Sequence, residues 1–459
     1  MDFPAVEFAA APVTQDPNRD VRATISLRPG DVIFAEIAIV ASANVTDDSG
    51  YTDDAPIEES VEGIDDDEVD LLSTYVQDNF VALIATCEPL QALTSVSACK
   101  NLFKCFHLLD SNEIDFACFR ALYADVDDYD AGVQAATALR AAHPSAIPKA
   151  LTTNQVAHLI GVLATHSLPI DCHSGPGSAL FLHLPKLKHS CIPNTSVHFS
   201  LDSAWVTAIR DIAEDEALTL DLYDTHYTCV AERRARMAQD SLLCGCGVCR
   251  GRLPDKTRAF QCTTCVDGIV HPTRLQFACT GCGTVLEADA MAVLEREETT
   301  FVDCCVGATS LLQFKQVLDN SVLHPHHHIV YAAMDTLRYT DRTLTGTQTL
   351  EILNQQMDAL NYVVPYPHGD KVTLYNLIGK MHVTSGDIAK AKDAYTRAYE
   401  VSVKWSGPDS RDSIKYKTLM EHTPTSVAAL HGYDESNEMD VDESNEMDVD
   451  EDDDDNDDM

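Results

Sequence analysis

Hydrophobic residues follow a strand pattern in two separate parts of this chain. Residues 21–42 read VRATISLRPGDVIFAEIAIVAS, with Val, Ile and Phe recurring on both sides of a turn at 28–31. Residues 180–223 return to this pattern, with short β-rich runs at 197–199 and 205–209 around a turn at Asp202-Ser203. Alternation and β-branched residues predict strands in both parts.

A helical pattern occupies much of the remaining chain. Between about residues 71 and 162, small apolar residues recur at three- and four-residue steps, with Leu139 beside them: Ala131, Ala135, Ala138 and Ala142. Beyond about residue 288 the chain is mostly amphipathic helix, and its clearest helix starts near Gly386 and continues one face through Ala398 and Val401. Small residues at this spacing let helices approach closely, as in helical-hairpin repeats, and one such unit is convincing.

Most of the negative charge lies in two stretches. The 459 residues include 32 Lys and Arg against 73 Asp and Glu, a formal net charge of −41. Residues 47–70 hold 12 acids, residues 434–459 hold 16, and neither stretch contains Lys or Arg. Without them the charge is about −13, an ordinary value for a folded body of this size. We predict that both stretches are disordered.

The composition also limits the function. No basic stripe is present, so direct nucleic-acid binding is not expected, and histones or other basic proteins are better partners. The first 20 residues lack the features of a signal peptide, and no long apolar run suggests a membrane span. We therefore expect a protein of the cytoplasm, the nucleus or both, where clustered thiols among the 16 cysteines indicate a metal rather than disulfides.

Four cysteines form a zinc-ribbon pattern. The pairs Cys262-x2-Cys265 and Cys279-x2-Cys282 are separated by 13 residues. Each pair places two thiolates on one tight turn, and two such turns complete a tetrahedron around Zn²⁺. The alternative, four cysteines that are merely buried in a small subdomain, does not account for the doubled spacing.

Three further cysteines lack a fourth partner. Cys244-x-Cys246-x2-Cys249 offers three thiolates, whereas a closed structural zinc site has four ligands. On spacing alone, the fourth ligand is either Cys191, His189 or a cysteine of the ribbon.

The order of several motifs resembles a known enzyme family. His189-Ser190-Cys191-x-Pro193-Asn194, the strand around residues 209–220, Glu232-Arg233-Arg234 and the cysteine triplet resemble the SET and post-SET segments of the SET- and MYND-domain (SMYD) protein-lysine methyltransferases. Residues 26–34, SLRPGDVIF, are similar to the first SET strand pair, and residues 386–421 are similar to the family's C-terminal helical domain. The resemblance is strong only between residues 180 and 249.

The resemblance, together with the ribbon, implies an α+β fold. We expect a SET-type β-rich core with a helical insertion, a post-SET zinc site, a zinc ribbon and a C-terminal TPR-like helical domain. The expected segments are an N-terminal segment (1–20), the first SET strands (21–45), an acidic insertion (46–70), the helical insertion (71–170), the SET core (171–230), the post-SET module (231–252), the ribbon (259–288), the helical domain (289–430) and an acidic tail (431–459).

The resemblance also implies roles for single residues. In the family, the segment that contains the His-Ser-Cys motif threads under another loop, where S-adenosylmethionine meets the lysine channel. Cys191 would then be the fourth zinc ligand beside Cys244, Cys246 and Cys249. The residues that would line the cofactor pocket or hold the knot are Lys188, His189, Ser190, Asn194 and, from an upstream segment, His166. Without the resemblance, His189 would be interpreted as a packing residue.

The catalytic pattern departs from the family. The expected glycine-x-glycine reads Asn18-Arg19-Asp20, and the first asparagine of the Asn-His-Ser-Cys segment is Lys188, whose ammonium has donors only. A gap-free match puts Leu222 at the tyrosine position, with Tyr223 one residue late and, on a strand, facing the opposite way. A bulge would re-aim Tyr223, which remains the candidate catalytic residue.

Two further family features are missing. The position of a second tyrosine holds Asp240, and the MYND finger is absent because residues 47–70 contain no cysteine.

These observations leave enzymatic activity open. The first hypothesis is a divergent protein-lysine N-methyltransferase that transfers a methyl group from S-adenosylmethionine to histone or non-histone proteins. The alternative is a catalytically inactive SET-like, zinc-binding scaffold for protein interactions. A third hypothesis, an acidic histone chaperone, rests on the tail alone. We expect a monomer, because members of the family commonly are.

Overall fold

The computed structural model describes residues 6–7, 21–44, 72–87, 93, 95–122, 124, 126–172, 175–200, 202–239 and 242–430. The acidic stretches at 46–70 and 431–459, the Asn18-Arg19-Asp20 turn and Asp240 lie outside these residues.

The strands are short and come from four parts of the chain. They are β1 (Val6–Glu7), β2 (Arg22–Ala23), β3 (Val32–Ile37), β4 (Val40–Ala43), β5 (Leu168–Cys172), β6 (Gly175–Leu180), β7 (Lys188–His189), β8 (Thr195–Ser200), β9 (Ser203–Ala208), β10 (Thr219–Leu220), β11 (Phe260–Gln261), β12 (Ile269–Pro272) and β13 (Phe277–Cys279).

The helices form one group between the strands and a second group after them. They are α1 (Thr74–Cys87), α2 (Val96–Asp110), α3 (Ala117–Arg120), α4 (Val126–Ala142), α5 (Thr153–His166), α6 (Val230–Gln239), α7 (Ala288–Val306), α8 (Leu311–Asp319), α9 (His328–Thr340), α10 (Gly346–Val363), α11 (Gly369–Thr384), α12 (Ile388–Ser406) and α13 (Arg411–Glu421). No helix in the described part of the chain combines the length and apolar composition that a bilayer crossing requires.

Two antiparallel sheets include β3 and β4 of residues 21–43, and one of them pairs β3 with the second predicted β-rich part, whereas the other uses β5 and β6 at 168–180, strands that the sequence did not predict. One sheet has the order β3-β9-β8 and the other has the order β4-β6-β5. Phe34 of β3 lies opposite Val206 of β9, and both side chains are buried. Ser203 already pairs with Ser200 as the first residue of β9, so the hairpin turn lies one residue earlier than predicted.

The first helical group covers the β4-β6-β5 sheet. Lys104 of α2 donates to the carbonyl oxygen of Ala41 at 2.7 Å, and the buried amide of Asn101 donates to Ser178 at 2.9 Å. The α4 helix buries a face slightly different from the predicted one. Ala135 and Leu139 are buried as expected, but Ala142 is exposed at the C-terminal end of the helix.

The C-terminal helices form antiparallel hairpins, and one of these helices also contacts the β3-β9-β8 sheet. Gly386, with φ +78°, makes the turn between α11 and α12. A Cβ at Gly379 of α11 would lie 2.6 Å from the ring of Tyr395 in α12, so this glycine permits the close packing that the sequence pattern predicts. The Ser196 hydroxyl of β8 donates to the carbonyl oxygen of Trp405 at 2.6 Å, which ties α12 to the sheet.

A buried histidine, paired with two solvent-exposed carboxylates, ties the start of α11 to the turn after β10. Nδ1 of His226 lies 2.8 Å from Asp224, and its Nε2 lies 2.7 Å from Asp370 of α11. Burial opposes the charged form, but the hydrogen bonds to the two carboxylates outweigh it and raise the pKa of His226 to about 9. The ring of His368 lies 3.9 Å from that of His226, and burial and the neighbouring charge lower its pKa to about 4.

We expect this contact to weaken in alkaline solution. Because the pKa of His226 is raised in the folded state, its stabilising contribution is complete below about pH 6.5 and is lost as the pH rises through about 9. Chemical denaturation of the wild-type protein should show a loss of roughly 1–3 kcal/mol over this range. His226→Gln should flatten the pH dependence. His422→Gln changes an exposed histidine and should not, so equal slopes in the two variants would contradict the assignment.

Candidate functional site

The segment with the His-Ser-Cys motif runs beside β10, the short strand that follows the β3-β9-β8 sheet in the chain. β7 pairs with β10 in parallel, with Lys188 opposite Thr219 and His189 opposite Leu220. The amide of Ser190 then donates to the carbonyl oxygen of Leu220 at 2.9 Å. Two segments about 30 residues apart in sequence are therefore held side by side at one place.

Asn194 locks this crossing with its side chain. The residue is 1% exposed. Its Nδ2 donates to the carbonyl oxygen of Ala217 at 2.8 Å, and its Oδ1 accepts from the amide of Thr219 at 2.7 Å. One buried amide side chain thus satisfies a donor and an acceptor on two half-buried residues of the crossing segment.

Cys191 lies beside the cysteine triplet. The sulfur atoms of Cys191, Cys244, Cys246 and Cys249 all lie within 4.8 Å of one another. Cys191 Sγ is 3.7 Å from that of Cys244 and 3.6 Å from that of Cys249. Four sulfurs around Zn²⁺ at about 2.3 Å have edges of about 3.8 Å, whereas a disulfide bond is about 2.05 Å long. The spacing therefore fits a zinc tetrahedron.

The protonation of the four thiols also favours a cation. Hydrogen bonds among them lower the pKa of Cys244 and Cys246 and raise the pKa of Cys191 and Cys249. Four adjacent thiolates repel one another, so some of the thiols keep their protons unless a divalent cation compensates the charge.

The ribbon cysteines form a second tetrad. Sulfur–sulfur distances are 3.8 Å for both Cys262–Cys282 and Cys265–Cys279. Strands β11, β12 and β13 carry the two turns, and a Cβ at Gly268 would overlap the sulfur atoms of Cys265 and Cys279. The two cysteine clusters could each bind zinc, as the sequence spacing predicts.

His189, one of the fourth ligands that the spacing left open, lies beside the first tetrad and contacts Cys191 instead of replacing it. The amide of Leu222 donates to Nδ1 of His189 at 3.2 Å. The proton of a neutral ring is then on Nε2, which lies 3.2 Å from the sulfur of Cys191. The side chain is 1% exposed. His189 therefore orients the sulfur of Cys191, and in metal sites such outer contacts commonly tune metal affinity.

The chain turns after β10 instead of continuing as a strand. Asp221 accepts hydrogen bonds from the amides of Tyr223 at 3.2 Å and Thr225 at 2.7 Å, which ends the strand pairing. The strand argument that turned Tyr223 away from the site was therefore wrong. Leu222 is 44% exposed, while the ring of Tyr223 lies edge-on to His189 at 5.2 Å.

The other residues that the sequence predicted for the cofactor site lie on different elements. Ser190 is buried, and its hydroxyl accepts from the amide of Ile192 at 3.2 Å. Lys188 is half-buried on β7. His166 is the last residue of α5 and precedes β5, so it belongs to a different element from the crossing segment.

The sequence did not indicate that a residue of the C-terminal helical region lies near the first tetrad. Tyr366, in the loop between α10 and α11, has its pKa raised by burial and by the charge of Asp221. The charge of Cys191 raises it further. A loop from more than 100 residues downstream thus contributes to the surroundings of the first tetrad, and no local pattern announces such a contact.

Comparisons with known proteins agree with this geometry. The family model for the SET domain matches residues 18–222, which include the crossing of β7 and β10. The mouse (Mus musculus) protein-lysine N-methyltransferase SMYD4 is 35% identical over 96 residues, which cover 19% of this chain and 12% of that protein. The chain thus matches only about an eighth of the length of this relative. The described residues within this match combine helices and strands, and the two matches support a protein methyltransferase family.

We expect Asn194→Ala to destabilise the protein by about 1–3 kcal/mol, because it removes the partner of the half-buried amide of Thr219 and of the half-buried carbonyl of Ala217. Urea denaturation measures the loss. Asn354→Ala removes one exposed amide from α10 and should cost much less, so equal losses in the two variants would argue against the lock.

We expect Cys191→Ser to lose one zinc per molecule relative to the wild type, because a serine hydroxyl is a poor replacement for a thiolate ligand. Elemental analysis of the purified full-length protein measures the loss. Cys304→Ser changes an exposed cysteine outside both tetrads and should retain the full zinc content. Unchanged zinc in Cys191→Ser would rule out the assigned tetrad.

Proposed function

We propose that the chain is a divergent protein-lysine N-methyltransferase that uses S-adenosylmethionine and acts on histones or other basic proteins. The observation that carries the proposal is the crossing of β7 and β10, locked by Asn194 and joined through Cys191 to the first cysteine tetrad. The printed name of the mouse relative supports the same class of reaction.

The residues around the crossing are compatible with a bound cofactor. Ile192 and Leu222 expose 38% and 44% of their surface, although each neighbours a residue of the buried crossing. Apolar side chains left open beside such a site favour a ligand that covers them. By the family resemblance, the segment from Lys188 to Ser190 would hold S-adenosylmethionine. Its sulfonium supplies the methyl group.

The chain's own residues would align the lysine. Transfer needs a neutral amine in line with the methyl group, so the site must exclude water and orient the nitrogen. Tyr223 is the candidate for this orientation, because the turn made by Asp221 places its ring against His189. A hydroxyl that hydrogen-bonds to the amine commonly raises the rate of such a transfer by about one to three orders of magnitude.

The charge of the chain fits a basic substrate. The formal charge of −41 creates a field that attracts lysine-rich proteins and raises their encounter rate at low salt. This attraction favours basic proteins in general, while the choice of the target lysine depends on the residues around the crossing of β7 and β10.

Lys188 favours the alternative, an inactive scaffold. An ammonium stands where the family pattern has an amide, and it offers no acceptor. A scaffold would retain the tetrads and use the helical hairpins and the acidic stretches for protein contacts without binding the cofactor.

Calorimetry with S-adenosylmethionine separates the two functions. The methyltransferase should bind the cofactor with a stoichiometry of one and transfer a labelled methyl group to core histones. The scaffold should show no heat of binding while its zinc content is complete, and this result would overturn the proposal.

Tyr223→Phe tests the catalytic assignment. We expect it to lower kcat roughly 10- to 1000-fold and to leave the Kd for S-adenosylmethionine within about threefold, because the hydroxyl acts on the amine. Tyr339→Phe changes an exposed tyrosine on α9 and should retain wild-type kcat. Wild-type activity in Tyr223→Phe would assign the role to another residue.

A further inference from the structure

Three groups of metal-ligating side chains lie outside the cysteine tetrads in the described residues. In two of them most of the ligand atoms already have close partners; the second of these groups also includes His328, which it shares with the remaining group. His226 contacts carboxylates through both ring nitrogens, at 2.8 and 2.7 Å. Glu298 accepts from His327 at 2.9 Å and from the guanidinium of Arg258 at 2.9 Å. These two groups are satisfied ion-pair networks.

The third group consists of Cys229, Glu232 and His328. One ligand atom from each residue lies within 4.8 Å of the other two. Cys229 directly precedes α6 and Glu232 lies in its first turn, so the three-residue spacing places both on one face of the helix. His328 is the first residue of α9, and its amide donates to the carbonyl oxygen of Thr257 at 2.8 Å.

The ring of His328 is buried without a hydrogen bond among the described residues. Its side chain is 13% exposed, and Nδ1 lies 3.8 Å from Glu232 Oε2, beyond hydrogen-bond distance. Two ligands on one zinc ion lie about 3.3 Å apart, so a shift of about half an ångström of the half-exposed Glu232 carboxylate closes the gap. Burial and the neighbouring His327 lower the pKa of His328 to about 4, so its ring is neutral near pH 7.

A cavity of about 710 Å³ opens beside these residues. Cys229 and His328 line it, together with apolar side chains such as Val248, Val302 and Ile329. Burial raises the pKa of the Cys229 thiol, and the backbone amides of Glu232 and Ala231 at the start of α6 only partly oppose this shift, so a bound cation would have to displace the thiol proton. Cys229 and His328 therefore border a space with room for a further ligand, while the Glu232 carboxylate lies beside them without lining the cavity. Arg234, Arg258 and Arg274 also line this cavity.

We propose that Cys229, Glu232 and His328 bind a third zinc ion, with its fourth coordination position open to the cavity. Closed structural sites use four protein ligands, whereas sites that exchange a water or a small ligand use three. The mixed thiolate, carboxylate and imidazole set suits Zn²⁺, and Co²⁺ takes the same geometry as a spectroscopic probe. The site does not depend on the proposed methyl transfer.

Cobalt titration of the full-length protein, purified with both cysteine tetrads filled with zinc, tests the site. The wild type should bind one equivalent of Co²⁺ tightly, with visible absorption bands of a four-coordinate ion and a near-ultraviolet sulfur-to-cobalt band from one thiolate. Added Zn²⁺ should displace the cobalt. Elemental analysis of protein loaded with zinc should then find three ions per molecule.

Variants identify the ligands. Cys229→Ser and His328→Gln should weaken Co²⁺ binding by at least about 30-fold, and Cys229→Ser should remove the sulfur band. Cys304→Ser and His422→Gln should bind as the wild type does. Glu232→Gln changes a half-exposed carboxylate, should fold normally, and should weaken binding about tenfold, so it decides the matter if a buried variant misfolds. No tight equivalent in the wild type, or equal binding in Glu232→Gln and wild type, would overturn the proposal.

Discussion

The candidate site depends on the convergence of Cys191 with three thiols that lie more than 50 residues later in the chain. Four sulfurs at separations near 3.7 Å can all be thiolates only if a divalent cation compensates their charge. The tetrad thereby joins the crossing of β7 and β10 to the segment after α6. His189 contacts Cys191, and Tyr223 packs against His189, so the position of the candidate catalytic ring follows from the tetrad.

The C-terminal helices complete the surroundings of this centre. α12 is tied to β8 through Trp405, and α11 contacts the turn after β10 through the charged pair of His226 and Asp370. The loop before α11 brings Tyr366 near Asp221. A helical hairpin region that is remote in sequence is therefore held next to the crossing of β7 and β10.

The departures from the family pattern differ in how far the fold can compensate for them. Asp221 replaces strand pairing with a turn and recovers an inward position for Tyr223, so this departure leaves a tyrosine near the crossing. Lys188 is different, because no rearrangement of the backbone gives an ammonium the acceptor that an amide has. A methyltransferase of low activity and an inactive scaffold would differ mainly in whether S-adenosylmethionine still binds beside Lys188.

The sequence alone determined the features that rest on spacing or periodicity. The two cysteine pairs of the ribbon, the helical hairpin around Gly386 and the strands near residues 32 and 205 are local patterns, and local chemistry sets them. Only the tertiary structure decided which distant atoms meet. The contact of His189 with Cys191, the turn that re-aims Tyr223, the approach of Tyr366 and the grouping of Cys229 with His328 join residues that are not neighbours in a local pattern. Packing of the whole chain selects such contacts, because a side chain's partners depend on where every other element is buried.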